Sequence, residues 1–559
     1  MPSDLSDWWN SERTVRETIG GYLIRRLGEE GIGHVFGVPG DYVLTFFKQM
    51  EDSALKVVNT CDEQGAGFAA DAYARVRGLG AACITYCVGG LKIANPIAQA
   101  FAEKSPVVLI SGAPGTKEQK TNTLLHHKVR EFDTQLRVMT EITVGVARLD
   151  DPATAAAEID RMLALARRES RPVYIELPRD MATAEIGPAT EAPLPVASSE
   201  PDALAAALND AAALIDAARQ PVIVAGEELH RFKLQPALAA LQKRTGIPVA
   251  ATIMGKSVFP ESDPAYLGVY EGAMCREAVR NYVETSDCVI LLGAMMTDMN
   301  LGIYTAHLER RYSIYAARDR VAVGLHSYDG VRMEDFVAGL AVRTWQKRSP
   351  VPYEHPEHPG PFSASDKKIT VEALFRQINA FLEDDMVVIA DPGDALFGAA
   401  DLYIHDGAHF LAPAYYASLG FAVPAALGVQ MASAKLRPLV LVGDGAFQMT
   451  GTELASIARY GLNPIVVVFD NDGYGTERPM LDGAFNDVAR WNYAQLPTVF
   501  GSGLGIRVET EKEMAVALEA AKARKDWSLI QVMLARDDRS PALTRLTTTL
   551  KERVARAKG

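Results

Sequence analysis

Two acidic, glycine-containing segments in the last third of the chain carry residue types suited to binding a metal ion and phosphate. GDG at 443–445 follows the apolar run RPLVLV, and DNDG at 470–473 follows NPIVVVF. Ligands in open α/β sheets collect at the carboxyl ends of strands, so Asp444, Asn471 and the carbonyl of Gly473 are expected to converge. Such hard oxygen donors suit Mg²⁺, and the glycines let backbone approach phosphate closely. The sequence therefore predicts a magnesium–diphosphate site.

The first third of the chain contributes residues suited to acid–base chemistry. Glu63 is expected at the end of a strand, before the alanine-rich helix pattern of EQGAGFAADAYAR. Asp41 is expected in a turn after a strand, and His126 and His127 are adjacent in TLLHHKVREF. Glu477 lies in GYGTERPM, just beyond the predicted magnesium ligands. Carboxyl groups held near histidines can exchange protons at neutral pH, as general acid–base catalysis requires.

Together these segments resemble the thiamine-diphosphate-dependent 2-oxo acid decarboxylases, which include pyruvate, indolepyruvate, phenylpyruvate and branched-chain enzymes. The resemblance runs from about Val15 to about Arg545. It implies non-oxidative decarboxylation of a 2-oxo acid to an aldehyde through a thiamine ylid and an enamine, with thiamine diphosphate and Mg²⁺ as cofactors. Relatives usually have Asn-Asn where this chain has Asp470-Asn471, and the ligand role passes to Asn471 by register with GYGTE.

The resemblance implies a role for each candidate residue. Glu63 would bond to the pyrimidine ring of the cofactor and drive its activation. A second group would surround the substrate, support loss of CO₂ and deliver a proton: Asp41, His126, His127 and Glu477. The metal ligands would be Asp444, Asn471 and Gly473. The remaining cofactor contacts would be the carbonyl of Ala417, the wedge residue Leu419 between the two rings, and Gly443, Gly445, Ala446 and Tyr474.

The same resemblance names pocket positions that bear on substrate preference, namely Asp298, Met299, Pro392, Leu396, Phe397, Thr476 and Met480. Thr476 is smaller than the isoleucine common in strict pyruvate enzymes, and the helical C-terminal pattern lacks a bulky aromatic residue that narrows some of their pockets. Two departures from relatives are Lys92, where a small polar residue is usual, and Pro392, which replaces a polar one. We expect a bulky aromatic or branched 2-oxo acid, with pyruvate as the alternative.

Other functions stay open at this level. An acetolactate synthase-like carboligase would share Glu63 and the metal motif, although the pair His126-His127 and Glu477 weigh against it. A flavin-dependent oxidase could use the same scaffold. A cofactor-binding regulatory protein without turnover is a further alternative, and the complete set of acids and histidines argues against it.

The elements that must position these residues are short apolar runs alternating with helical patterns. Runs such as SPVVLISG, QPVIVAG, DCVILLG, DMVVIAD and NPIVVVF are typical of buried parallel strands. Proline-rich stretches at 185–203 and 349–367 indicate linkers. The prediction is an α/β protein with three doubly wound parallel-sheet domains: a pyrimidine-binding domain at 12–187, a central Rossmann-like domain at 203–350 and a diphosphate-binding domain at 368–545.

The amino-acid composition restricts the binding partners and the cellular compartment that can be expected. The net charge of -13 argues against nucleic acid, and no run approaches the length of a membrane span. The N-terminus lacks the pattern of a secretory signal, and its Trp8 and Trp9 suggest a docked arm. The five cysteines contain no CxxC pair, so we expect buried free thiols and a cytoplasmic protein. The resemblance implies active sites between subunits, hence a homodimer at least and commonly a homotetramer.

Overall fold

The computed structural model describes residues 17–187, 198–318, 320–346, 348–356 and 358–558, with side chains described as far as Lys551. The arm with Trp8 and Trp9 and most of the first linker lie outside this range. The described strands form three sheets, one in each predicted domain, and each apolar run named above is a strand. The described residues between 349 and 366 form neither helix nor strand. The domain bounds themselves stay a prediction.

The N-terminal sheet has six parallel strands in the order β2-β1-β3-β4-β6-β5. Its central strands are buried on both faces, because helices cover both sides of the sheet. The strands are β1 (His34–Gly37), β2 (Lys56–Asn59), β3 (Gly80–Ile84), β4 (Val107–Ala113), β5 (Val146–Arg148) and β6 (Val173–Pro178). The helices are α1 (Ile19–Glu29), α2 (Leu44–Glu51), α3 (Glu63–Arg77), α4 (Val88–Lys92), α5 (Ala94–Ala102), α6 (Thr116–Lys120), α7 (Thr134–Ile142) and α8 (Ala155–Glu169).

The middle sheet has seven strands in the order β13-β12-β11-β10-β7-β8-β9. The strands are β7 (Pro221–Ala225), β8 (Val249–Ala251), β9 (Tyr266–Val269), β10 (Cys288–Leu292), β11 (Ser313–Ala317), β12 (Arg320–Val323) and β13 (His326–Tyr328). The helices are α9 (Pro201–Ala217), α10 (Glu228–Arg231), α11 (Gln235–Thr245), α12 (Glu277–Glu284) and α13 (Met333–Val342). The sheet is mostly parallel, as predicted, but β12 and β13 run antiparallel at one edge. The links around β12 are too short for a parallel crossover.

The C-terminal sheet has six parallel strands in the order β15-β14-β16-β17-β19-β18. The strands are β14 (Met386–Ala390), β15 (His409–Leu411), β16 (Arg437–Gly443), β17 (Ile465–Asp470), β18 (Leu504–Val508) and β19 (Ser528–Met533). The helices are α14 (Val371–Phe381), α15 (Asp394–Ala399), α16 (Ala422–Ala432), α17 (Asp444–Thr450), α18 (Leu454–Arg459), α19 (Leu496–Phe500), α20 (Glu511–Lys522) and α21 (Pro541–Lys558). Because β16 and β17 are neighbours, with Gly443 opposite Phe469, their carboxyl ends open onto the same edge.

The starts of two helices bear on the candidate site, and one of them corrects a prediction. The helix after β16 begins at Asp444 and ends at Thr450. Glu63 does not end a strand; it is the first residue of α3, because the side chain of Asp62 caps that helix by accepting a hydrogen bond from the Gly65 N–H at 2.8 Å. Both acids therefore lie in the first turn of a helix, where the helix dipole favours negative charge.

The N-terminal and C-terminal sheets are joined by close packing of α3 on α16. A Cβ atom at Gly428 would lie 2.1 Å from the carbonyl oxygen of Ala69, so these helices approach with almost no side chain between them. The rings of Phe68 and Phe421 meet edge to face at 5.7 Å beside this contact. The alanine-rich pattern that follows Glu63 is thus explained by packing.

Two composition-based expectations can be compared with the described residues. No described helix combines enough length and apolar character to cross a bilayer. The free cysteines Cys83, Cys87, Cys275 and Cys288 are buried as expected, but Cys61 is exposed. Its position in the loop before α3 accounts for that exposure.

Candidate active site

A cavity of about 440 Å³ lies at the carboxyl ends of β14, β16 and β17 and is partly walled by α21. It brings together the predicted residues of the C-terminal domain and one from the middle domain: Met299, Pro392, Leu396, Phe397, Ala417, Leu419, Gly443, Asp444, Gly445, Ala446, Asn471, Gly473, Tyr474, Thr476, Glu477 and Met480. We call this cavity the C-terminal cleft. Residues predicted from separate segments therefore meet in one place.

Asp444 is a buried acid of the cleft that the backbone holds in place. It is 1% exposed, and its two carboxylate oxygens accept hydrogen bonds from the backbone N–H groups of Gly445 and Gly473 at 2.7 and 2.9 Å. Burial raises the pKa of Asp444 to about 7, and the nearby charge of Asp470 adds to that rise. A buried carboxylate beside a second acid fits a divalent cation.

The glycines around Asp444 are required by close contacts. A Cβ atom at Gly445 would lie 2.6 Å from the ring of Tyr474. Gly473 has a φ of +133°, and a Cβ there would lie 2.0 Å from the carbonyl oxygen of Asn486. These two positions keep the β16 and β17 loops together, with Asn471 beside Asp444 in the cleft. The donor set and its tight backbone fit the predicted Mg²⁺ and diphosphate.

The segment carrying Ala417 and Leu419 is held by a buried acid that the sequence reasoning missed. The carboxylate of Asp391, which is fully buried, accepts hydrogen bonds from the N–H groups of Gly420 and Ala422 at 2.9 and 2.8 Å. Burial raises its pKa to about 7. Ala417 has a φ of +57°, a left-handed conformation that is rare for a residue with a side chain. Such conformations cluster at active sites and ligand-binding sites. The sequence feature that could have identified Asp391 is its position directly after the apolar run of β14.

Helix α21 contributes wall residues that were not named from the sequence, namely Leu543, Leu546, Thr547 and Leu550. Two sets of contacts anchor the N-terminal half of this helix. Ser540 donates hydrogen bonds from its N–H and hydroxyl to the carboxylate of Asp394, at 2.8 and 2.5 Å. Arg545 donates to the carbonyl of Met274 and pairs with Asp401, each at 2.7 Å. The helix thus presents a fixed apolar surface to the cleft.

The predicted acid–histidine group lies in the N-terminal domain. The Nε2 atom of His126 is 2.7 Å from a carboxylate oxygen of Asp41, and its ring stacks on Tyr42 with centroids 5.0 Å apart. The ring of His127 lies 4.6 Å from that of His126, and its Nδ1 atom is 3.4 Å from the carbonyl oxygen of Tyr86. We call Asp41, His126 and His127 the acid–histidine cluster.

Glu63 is buried at the start of α3 beside helix α4. A Cβ atom at Gly89 would lie 3.2 Å from its carboxylate, so the α4 backbone packs directly on this group. The preceding loop is held by Glu453 of the C-terminal domain, whose carboxylate accepts hydrogen bonds from the N–H groups of Cys61 and Asp62 at 2.9 and 3.3 Å. This connection was also missed, because it joins residues far apart in the sequence.

Within one chain, Glu63 and the acid–histidine cluster are not among the residues that line the C-terminal cleft. Asp298, predicted beside Met299, lines a separate cavity of about 970 Å³ at the carboxyl end of β10. Its side chain turns back to accept a hydrogen bond from the N–H of Met299 at 3.0 Å. Within the described chain the predicted residues therefore fall into two separate groups. Of Asp298 and Met299, only Met299 lines the cleft.

Models of three domains of the thiamine pyrophosphate enzymes match the chain. The N-terminal TPP binding domain matches residues 17–136, the central domain 208–327 and the C-terminal TPP binding domain 391–532.

Curated proteins are similar to the chain over nearly its full length. The indole-3-pyruvate decarboxylase of Azospirillum brasilense is 40% identical over 537 residues, covering 94% of this chain and 96% of that protein. The alpha-keto-acid decarboxylase of Mycobacterium leprae is 35% identical over 544 residues, with 95% of each chain covered. That of Mycobacterium tuberculosis is 36% identical over 532 residues, covering 93% and 94%.

Proposed function

The chain belongs to the thiamine pyrophosphate enzyme family, and from that premise we propose that it removes CO₂ from a 2-oxo acid without oxidation and releases an aldehyde. The observation that carries the proposal is the C-terminal cleft, where Asp444, Asn471 and Glu477 meet beneath an apolar wall. In the reaction the bond between the carbonyl carbon and the carboxylate breaks, CO₂ leaves, and one proton arrives at the carbon that remains.

The C-terminal cleft would hold the cofactor and its metal. Asp444, Asn471 and the backbone at Gly473 would bind Mg²⁺, which would neutralise the diphosphate. Ala417 and Leu419, on the segment fixed by Asp391, would orient the two rings. When bound, thiamine diphosphate would supply the electron sink for the bond pair left behind by CO₂. The protein would supply position, charge and exclusion of water.

Proton movements would be handled by Glu63 and by the acid–histidine cluster together with Glu477. The carboxyl of Glu63 would hold a proton toward the pyrimidine nitrogen. Because His126 and Asp41 already share a hydrogen bond, this pair could pass a proton to the carbon that has lost CO₂. We propose that these groups reach the C-terminal cleft of a second subunit, which makes a homodimer the smallest active form and a homotetramer its expected extension.

The lining of the cleft supports a bulky aromatic or branched 2-oxo acid. Apolar side chains from three elements face it, namely Met299, Ile303, Leu396, Phe397, Leu543, Leu546 and Leu550. Such a wall favours an apolar substrate side chain by about 0.8 kcal/mol for each CH₂ group buried. Pyruvate, with a single methyl group, would leave most of this surface unused. We also propose a cytoplasmic location, on the basis of the free cysteines.

A substrate panel tests the proposal. The protein loaded with thiamine diphosphate and Mg²⁺ should release aldehyde and CO₂, with kcat/KM rising from pyruvate to branched, phenyl and indolyl 2-oxo acids. Accumulation of a hydroxyketone as the main product would identify a carboligase instead. Oxygen uptake by a yellow protein would identify a flavin oxidase, and absence of turnover on every acid would leave a binding protein.

A further inference from the structure

Lys92 lies beside the carboxyl group to which we assign cofactor activation. Its Nζ atom is 3.7 Å from a carboxylate oxygen of Glu63 and 3.2 Å from one of Asp62. Burial alone lowers the pKa of Lys92, but the hydrogen bond to Asp62 and the charges of Asp62 and Glu63 raise it overall. Lys92 is therefore a cation at neutral pH, next to an acid that must exchange a proton.

Lys92 is presented by a helix that a buried network holds in place. The N–H of Cys87, just before α4, donates to the side chain of Gln135. The amide of Gln135 in turn donates to the hydroxyl of Tyr174 at 2.6 Å, and that hydroxyl donates to Glu176 at 2.9 Å. A Cβ atom at Gly90 would lie 2.1 Å from Gln135, so no side chain separates α4 from this network. The position of Lys92 is preorganised.

The titratable groups around the start of α3 come from three elements. The loop before α3 brings Asp62 and the thiol of Cys61, whose pKa burial raises. The turn after α17 brings Glu453, whose pKa is also raised by burial. Helix α4 brings Lys92. Lys92 is a cation close to both Asp62 and Glu63, and a nearby opposite charge favours the charged form of a carboxyl group.

We propose that Lys92 is a positioning residue that holds the carboxyl group of Glu63 and keeps it ionised until the cofactor binds. The inference rests on the proposed function, since it assumes that Glu63 meets the pyrimidine ring. Cofactor binding would then require Glu63 to take up a proton, and the presence of Lys92 would set the pH at which that uptake occurs.

Calorimetry tests the proposal through cofactor binding and does not require the protein to catalyse a reaction. Binding of thiamine diphosphate with Mg²⁺ is measured between about pH 5.5 and 8 in buffers of different ionisation enthalpy, which gives the number of protons taken up on binding. In Lys92→Met the midpoint of proton uptake should move upward by about half to one pH unit, because Lys92 is half-exposed and its charge is partly screened. Lys92→Gln should behave alike, whereas Lys92→Arg, which keeps the charge, should not shift the midpoint.

Glu63→Gln provides the reference for this experiment. In that background Lys92→Met should leave the uptake curve unchanged. The same shift in the presence and absence of Glu63, or no shift in either neutral Lys92 variant, would show that Lys92 serves only as a surface partner of Asp62. Wild-type protein that bound no cofactor at any pH would overturn the proposed function together with this inference, so the two failures are distinguishable.

Discussion

The C-terminal cleft and the acid–histidine cluster differ most in their exposure to water. Asp444 and Asp391 are buried, and backbone N–H groups fix each carboxylate. The side chains of Asp41 and His126 are 44% and 56% exposed, and they are held mainly by each other. Interactions between charges are several times weaker in water than in a protein interior. The charge interactions of the cluster would therefore become stronger if another surface covered it, whereas the acids of the cleft are already shielded from water.

Exposed apolar side chains border both regions. Leu124 and Val129 flank the two histidines, and Met480, Leu481 and Phe485 follow Glu477. Exposed apolar surface beside polar groups is typical of a surface that binds another protein. The simplest arrangement that covers both is a second copy of the chain, with the cluster of one subunit over the cleft of the other. The comparison thus supports a site completed by assembly.

Glu63→Gln should have the largest effect, because glutamine cannot deliver the proton that activation requires. We expect kcat to fall by about 10²- to 10⁴-fold, while cofactor affinity changes far less. Aldehyde release and calorimetric titration measure the two quantities. Asp62→Asn is the matched control, since asparagine caps a helix as well as aspartate does. Unchanged turnover in Glu63→Gln would remove this residue from the mechanism.

Mixing two impaired variants, at a cofactor concentration too low to fill the Asp444→Ala site, tests whether the two regions meet between subunits. Glu63→Gln and Asp444→Ala damage opposite halves, so a mixed dimer would contain one intact site and one doubly damaged site. Random assembly after co-expression should restore about a quarter of wild-type activity, because half the dimers are mixed and half their sites are intact. A mixture as inactive as its components would mean that each site is built from a single chain.

Asp444→Ala should act on the cleft alone. Loss of this carboxylate is expected to weaken Mg²⁺-dependent cofactor binding by about 10- to 100-fold, as measured by titration with and without the metal. Asp472→Asn, in the neighbouring loop, is the control. Asn is favoured at the positive φ of 62° found there, so the loop should keep its shape and its affinity. Equal losses of cofactor affinity in both variants would indicate that metal binding depends on the total negative charge of the two loops and not on Asp444 in particular.

The sequence predicted the sheets because a buried parallel strand has a local pattern, as in β4 and β17. It also predicted which strand ends open onto the C-terminal cleft, because the acid directly follows the apolar run. The antiparallel edge at β12 and β13 was missed, since these strands are short and β13 is largely exposed.

Contacts between segments that are far apart in the chain could not be predicted from the sequence pattern. The hydrogen bonds from the segment near Gly420 to Asp391, and from the Cys61 loop to Glu453, join residues with no shared periodicity. Lys92 could be recognised as unusual, but its contact with Glu63 depends on how α4 packs on α3. Exposure of the acid–histidine cluster was likewise invisible, because burial depends on what covers a loop and not on its residue types.

The smallest predicted effect is on substrate preference, and it concerns the apolar wall that α21 contributes to the C-terminal cleft. Leu546→Phe should narrow the cavity and reduce kcat/KM for phenyl and indolyl 2-oxo acids by about tenfold, the discrimination expected when a hydrophobic pocket loses room for a few carbon atoms. Rates with pyruvate should change less, because its methyl group does not reach the wall. Thr548→Phe places the same ring on an exposed position of α21 and should leave both rates unaltered. A uniform loss across substrates in Leu546→Phe would indicate a displaced helix and would remove Leu546 from the specificity wall.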